Sequence, residues 1–423
     1  MKNKLLPILA LVLAACGNES FEPENESEGL EPIEIAEPVK PMSKLIMSES
    51  QINAVEGYNA FGWNIFIVVS DKDAAANHVV SPVSINSALS ILGEMTDGEN
   101  GQKISAALGM TDVEEMSDLN EKLIKYLPYT DKDTELSLAN AVWLADRYTP
   151  SQSMVKTIGK KYGATVRSVD FRDSRVVDLI NGWVNEYTRG CIPEIISKID
   201  PLTELSVTNA MYFNGKWQMP FNAERTMPGE FQNTDGQVVR VRNMNMCEEL
   251  AFAEDNFACM TSLPFDDGKF CMDIILPAEN HHLTYEEYSS LCASCSTDSV
   301  VLILPRFEFE ADYGNIAEIT HVLGIPCSNY TFTGLGIPET NEISLSNIIH
   351  KTYISVGEYG AEAAAATHIG MQIADLSEDE EKTVHEYKYV ICDRPFNFVI
   401  REREHNIVLL VGKVNSLPDT PRR

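Results

Sequence analysis

Residues able to do chemistry are plentiful in this 423-residue chain, but they are poorly spaced for it. His281 and His282 precede Cys292 and Cys295 in "HHLTYEEYSSLCASC", a set of nitrogen and sulfur donors of the kind that binds zinc. One Cys-x-x-Cys pair on a helical-looking stretch falls short of a zinc signature; surface histidines and half-buried cysteines account for it, and no metal or cofactor is expected. His385-Glu386 opens a metalloprotease motif but lacks the second histidine. There is no GxSxG elbow, no Walker loop and no dinucleotide fingerprint. "DGENG", residues 97–101, reads as a turn, because a phosphate cradle needs a lysine and a preceding strand. Spacing therefore gives a hydrolase no support, although eight histidines and many carboxylates can still meet in three dimensions.

The stretch that calls for explanation is "EYGAEAAAATHIGMQIADLSEDEE", residues 358–381. Its alanine run favours helix by composition. Its pattern is that of a strand: Ala361, Ala363, Ala365, Thr367, Ile369, Met371 and Ile373 can be buried, while Glu362, Ala364, Ala366, His368, Gly370, Gln372 and Ala374 can face water. The alternation stops at Asp375, where acids begin. The competing reading is a turn of surface helix followed by incidental alternation.

The elements that would position such a segment begin with an export signal. Lys2 and Lys4 precede the apolar run Leu5 to Leu13, too short to span a bilayer and closed by small residues. "LAAC" resembles the lipobox of bacterial lipoproteins, which implies cleavage after residue 15 and a lipid on Cys16; the alternative is a plain secretory signal with an incidental cysteine. Residues 16–47 are rich in Glu and Pro and read as a self-repelling tether. Residues 48–418 read as one large domain, with residues 419–423 as a tail. At 44% hydrophobic the chain can fill a large core, and its formal charge of −30 argues against nucleic acid, heparin-like chains and anionic lipid as direct partners. The irregular spacing of the eight cysteines beyond Cys16 defines no disulfide framework.

Helices come first along the domain. In "SPVSINSALSILGEM", Ser81 is an N-cap, Pro82 takes the first helical position, and Ile85, Ala88, Leu89 and Leu92 fall on one face. "VVDLINGWVNEYTRG" repeats the pattern with Leu179, Trp183 and Tyr187. Thereafter "VTNAMYFNGKW", "VVRVRNM", "FCMDIILP", "VLILPRFEFEA", "FNFVIRE" and "NIVLLVGKV" read as strands, several apolar enough to be central. Helices beside large, mainly antiparallel sheets give an α+β domain.

Taken in order, "NHVVSPVSINSALSIL", "LANAVWL", "INGWVNEYTRG", "VTNAMYFNGKWQMPF", "LPFDDGKFCMDIILP", "LPRFEFE", "ISLSNIIHKTYISVGEYGAEAAAAT" and "DRPFNFVI" with "VLLVGKV" resemble the serpins over roughly nine-tenths of the chain. The resemblance implies a fold of three β-sheets wrapped by about nine helices, with an exposed reactive loop at about residues 358–382. It implies an irreversible inhibitor of serine proteases, with cysteine proteases as a second target class, rather than an enzyme: the loop is cut as bait, inserts as a new central strand and carries the acyl-linked protease with it. In such a loop Glu358, Gly360, Ala361, Glu362, Ala363, Ala364, Ala365, Ala366 and Thr367 form the hinge region. Small residues there can pass between strands. About fourteen new ladder residues at about 0.5–1.5 kcal/mol per hydrogen bond, with apolar burial at about 25 cal/mol per Å², release on the order of 10 kcal/mol or more.

The resemblance further implies a sheet latch of Ser81, Ser84, Asn209 and His350, with Trp217 where insertion begins. Counting seventeen residues from Glu358, as the family does, places the reactive bond between Ala374 and Asp375, where the alternation also ends. Alanine suits elastase-like proteases; Ile373, Leu376 and Lys382 are alternative positions, the last disfavoured because acids would then have to enter the sheet. The acidic segment after Asp375 is longer than the family usually has, and Ala361 and Cys191 depart from its commonest residues. A non-inhibitory serpin that binds or carries a ligand is the alternative, opposed by the small hinge residues. The expected setting is the cell envelope, at the outer membrane or cell surface, with Cys16 as the membrane anchor, a protease as partner and a monomeric chain.

Overall fold

Polar caps and apolar spacing set the helices of the N-terminal half. In the computed structural model, residues 40–96, 98–279, 281–326, 328, 330–338, 348–361 and 387–420 are described. Helix α1 (Glu49–Lys72) opens on a capping box of Ser48 and Gln51. Strand β1 (His78–Val80) leads into α2 (Pro82–Met95), where the Ser81 hydroxyl accepts the Ser84 N–H at 3.3 Å. The single apolar face expected of α2 is not what is found: Ser84, Asn86, Ser87 and Ser90 are buried as well, because α2 packs among α1, the following helix and strands on both sides. The "DGENG" turn becomes a helix start, with Gly98 at φ 64° and α3 (Glu99–Ala107) beginning one residue on. Next come α4 (Val113–Tyr126), capped by Asp112, β2 (Tyr129–Thr130), β3 (Thr134–Ala145), α5 (Gln152–Tyr162) and β4 (Ala164–Val169).

Helix α6 (Arg175–Tyr187) buries Val176, Ile180, Trp183 and Val184. That face is rotated from the expected Leu179–Trp183–Tyr187 line, leaving Leu179 half-buried and Tyr187 38% exposed where the helix lies across the sheet. The start of the body also differs. Residues 40–47, read as the end of the tether, are docked: the Met42 N–H donates to Lys125 O at 2.7 Å, Lys122 Nζ to Ile46 O at 2.8 Å, and Leu45 is buried.

Strands dominate thereafter: β5 (Leu205–Lys216), β6 (Met227–Gln232), β7 (Val238–Glu254), β8 (Ala258–Pro264) and β9 (Phe270–Pro277). They are followed by α7 (Tyr285–Ser294), β10 (Ser296–Pro305), β11 (Phe307–Asn315), α8 (Ala317–Val322), β12 (Ile349–Gly357), β13 (Gly360–Ala361), β14 (Lys388–Ile391), β15 (Phe396–Glu402) and β16 (Ile407–Val414). "VLILPRFEFEA" splits at Arg306 into β10 and β11, which belong to different sheets.

Among the described residues, eight α-helices surround two hydrogen-bonded strand networks. One runs β1-β16-β15-β9-β8-β7-β10-β14, with β6 also on β7; the other runs β11-β12-β13-β5-β3-β2, with β4 on β3. The three sheets expected become two networks because the 17-residue β7 pairs with β6, β10 and β8 along successive parts of its length. The strands β9, β15 and β16 are buried on both faces, as their continuous apolar runs require. The architecture is α+β.

Candidate functional site

The second network has a gap in it. β12 pairs with β11 on one side and β5 pairs with β3, but among the described residues β5 and β12 form no ladder with each other. Among the described residues, the two of β13 alone bridge them, with Ala361 opposite Val356 and Gly215, and Gly360 opposite Gly357 and Lys216. Because β13 is antiparallel to both, β5 and β12 run parallel to each other, and one antiparallel strand fits between them. The segment expected to be the hinge thus begins inside the sheet: Ala361 is 1% exposed, and Gly360 admits no Cβ, which would lie 2.1 Å from Gly215 O. That close approach, rather than a positive φ, is what demands glycine here.

Three residues hold the turn that feeds β13. The Trp217 indole N–H donates to Gly357 O at 2.9 Å and its main-chain N–H to Tyr359 O at 2.9 Å, while its ring stacks on Phe265 at 4.7 Å. The buried Glu358 carboxylate accepts from Arg306 Nε at 2.7 Å, from Arg306 Nη2, and from the Thr226 hydroxyl at 2.6 Å. Burial pushes the Glu358 carboxyl up, but the Arg306 and Thr226 hydrogen bonds outweigh it and hold the group below its ordinary range.

Further along the gap, Ser81, Ser84, Asn209 and His350 line one cavity, roofed by Val184, Thr188 and Cys191 from α6 and the segment after it. The four do not form one network. His350 Nε2 accepts the Ser81 N–H at 3.0 Å and lies 3.0 Å from Thr352 Oγ1, so the ring is neutral at that nitrogen. Burial pushes the His350 imidazole down to about 4. Ser84 takes part through its main-chain N–H alone among these bonds. Asn209 belongs to a separate set, donating to Asn140 Oδ1 at 2.7 Å, which also accepts from Ser87 Oγ at 3.3 Å; its own Oδ1 is buried without a partner among the described residues. The Thr352–His350 contact is not a poised nucleophile and base, since Nε2 already accepts a main-chain N–H and both side chains are buried.

Sequence reasoning missed Thr352, Arg306, Thr226 and Asn140. Thr352 was within reach, because the alternation of "HKTYISV" puts it on the face of His350. The others act from distant elements, and Arg306 carries only the faint signal of a lone cation at a strand junction.

The zinc set does not converge. His281 Nε2 lies 2.9 Å from Glu287, His282 faces Asp71, and Cys292 packs 4.0 Å from Asp273, with Cys295 capping α7. Glu402, Glu404 and His405 bring ligand atoms within 4.8 Å of one another in the turn after β15, but both Glu402 oxygens are occupied, by the Tyr126 hydroxyl and two main-chain N–H groups. Glu362, Ala363, Ala364, Ala365, Ala366, Thr367, Ile373, Ala374, Asp375, Leu376, Lys382 and Cys16 lie outside the described residues.

A family model described as serpin (serine protease inhibitor) matches residues 56–417. An uncharacterized serpin-like protein of Methanosarcina acetivorans is 30% identical over 374 residues, covering 85% of each chain. The leukocyte elastase inhibitor of Bos taurus is 30% identical over 382 residues, covering 84% of this chain and 97% of that one. The native state of tengpin, a thermophilic serpin, superposes with a TM-score of 0.80 at 26% identity, covering 92% of this chain and 100% of that one.

Proposed function

The chain belongs to the serpin family, and from that premise we propose that it is a suicide-type inhibitor that traps serine proteases by loop insertion between β5 and β12. The observation that carries this reading is β13, a two-residue strand between two parallel neighbours that leave room for it to continue. Directly opposite residues share a face of a sheet, and Val356, Ile354, Thr352 and His350 are the buried residues of β12. If the strand were continued past Ala361 in the same register, Ala363 would lie opposite Ile354 and Phe213, Ala365 opposite Thr352 and Met211, and Thr367 opposite His350 and Asn209. Those are the positions whose small or apolar residues suit burial, so pattern and frame agree on which side of the loop turns inward.

The bait bond in this reading is Ala374–Asp375, and the favoured targets are elastase-like proteases with small primary pockets. A relative at 30% identity is named leukocyte elastase inhibitor, which is consistent with that choice of protease. The chain works as a monomer without a cofactor, held in the cell envelope by a lipid on Cys16 with the protease-facing end free. A carrier serpin would bind a ligand without being consumed. Incubation with an elastase followed by a denaturing gel separates the two: an inhibitor leaves a covalent complex of the protease with the chain up to Ala374, residues 375–423 running free, whereas a carrier or a substrate leaves none.

A further inference from the structure

We propose that His78 is a positioning residue of the latch, acting through the ring of Tyr313 on His350, and that the three rings together make the closed sheet sensitive to acid. The proposal rests on reading the gap between β5 and β12 as the acceptor of the loop. His78, Tyr313 and His350 form one stacked column: the first two rings lie 6.0 Å apart at 11°, and the second pair 6.2 Å apart at 4°. Both imidazoles are buried, at 3% and 7% exposure. β1, β11 and β12 each contribute one ring, so the column joins the latch to the junction between α1 and α2.

Its hydrogen bonds run in one direction. His78 Nε2 lies 2.7 Å from the Asp73 carbonyl, which can only accept, so this nitrogen carries the proton. Nδ1 is then the acceptor for the Tyr313 hydroxyl at 3.3 Å, and the Tyr313 oxygen accepts the Val79 N–H at 3.1 Å. At the other end of the column His350 Nε2 accepts the Ser81 N–H. Each imidazole therefore spends a ring lone pair that a proton would occupy. A proton on His78 Nδ1 turns two N–H donors onto the Tyr313 oxygen and leaves the phenol proton without its acceptor. The ring on which His350 stacks must then shift. A proton on His350 Nε2 opposes the Ser81 N–H directly.

Burial, more than the charges around the column, favours the neutral forms. His78 lies opposite Lys413 in the β1–β16 ladder, and burial first and then Lys413 push it down against the pull of Asp73. Asp71 in turn faces Lys413. Around His350 stand Ser81 from the start of α2, Tyr313 from β11 and Thr352 from β12. Lys351 on β12 pairs with Glu310 and Asp312 of β11, on the alternate face from His350.

The test is hydrogen exchange at the Ser81 amide in the uncut full chain, read as a protection factor between pH 7.5 and 4.5. It uses no protease, so its failure is distinct from failure of the inhibitor reading, which the covalent-complex gel decides. His78→Phe keeps a stacking ring and removes the titration; His78→Asn serves if the phenylalanine variant does not fold. The proposal predicts near-equal protection at pH 7.5, then a loss of about tenfold or more in the wild type by pH 5, with the variant's loss displaced to lower pH and less steep. Superimposable profiles, or a uniform loss at every pH as a merely structural role would give, overturn it.

Discussion

The guanidinium of Arg306 and the buried carboxylate of Glu358 meet at 2.7 Å where β12 gives way to β13. The pair ties the start of β11 to the turn that leads into β13, so the expected hinge is anchored at its base while Gly360 and Ala361 bridge β12 and β5. Arg306→Ala would leave Glu358 with Thr226 as its remaining side-chain donor. The Arg306 side chain is 48% exposed and the pair is partly screened, so the expected cost is about 1–3 kcal/mol rather than that of a fully buried pair. Thermal unfolding should show a midpoint a few degrees lower, and Glu358→Gln, which keeps an acceptor, should cost less. Because the Glu358 carboxyl is held low in the folded state, this contribution is present above its unfolded range and is lost as the pH falls through the folded value.

His350 gives a second pH dependence, also toward acid. Burial pushes it from 6.5 to about 4, so between those values the unfolded chain binds a proton that the folded chain does not. Stability is full above about 6.5 and declines as the pH falls toward about 4, by on the order of 3 kcal/mol in all. The unfolding midpoint plotted against pH should show this decline, and His350→Gln should flatten it.

Much of the site was legible because strands and caps are local. Ser81 announces itself as an N-cap before Pro82, and "HKTYISVG" alternates as the β12 face does. The hydrogen-bond partners were not legible in the same way. Asn209 meets Asn140 across two strands 69 residues apart in sequence, and Thr226 meets Glu358 across 132, and neither pairing leaves a periodic trace. The α2 helix misled for a related reason: its serines look like a solvent face until strands and helices cover them from both sides. The β13 ladder was hidden by its brevity, since a two-residue strand has no period.

The register proposed for the inserted loop predicts unequal effects at adjacent residues. Ala363→Arg would bring a charge into the gap opposite Ile354 early in insertion, at a cost of several kcal/mol. In the proposed mechanism, inhibition is a race between insertion and deacylation, and each 1.4 kcal/mol of added barrier slows insertion about tenfold. Ala363→Arg should therefore be cleaved as a substrate and leave the protease active, while Ala364→Arg, facing out, should retain most inhibition. Titration of residual protease activity against inhibitor checks this, and equal loss in both variants would count against the alternation.

The anchor is tested separately. Cys16→Ser should block lipid attachment, and metabolic labelling with a tagged fatty acid followed by membrane fractionation reads the result. A labelled, membrane-bound mutant would remove the lipobox reading without touching the inhibitor.

The central claim is that the gap between β5 and β12 awaits the loop, and the most direct measurement is the thermal unfolding midpoint before and after a single cut at Ala374–Asp375. If the cut loop fills the gap, new ladder bonds and apolar burial should raise the midpoint by about 10 °C or more. A verified single cut that leaves the midpoint unchanged would contradict the account.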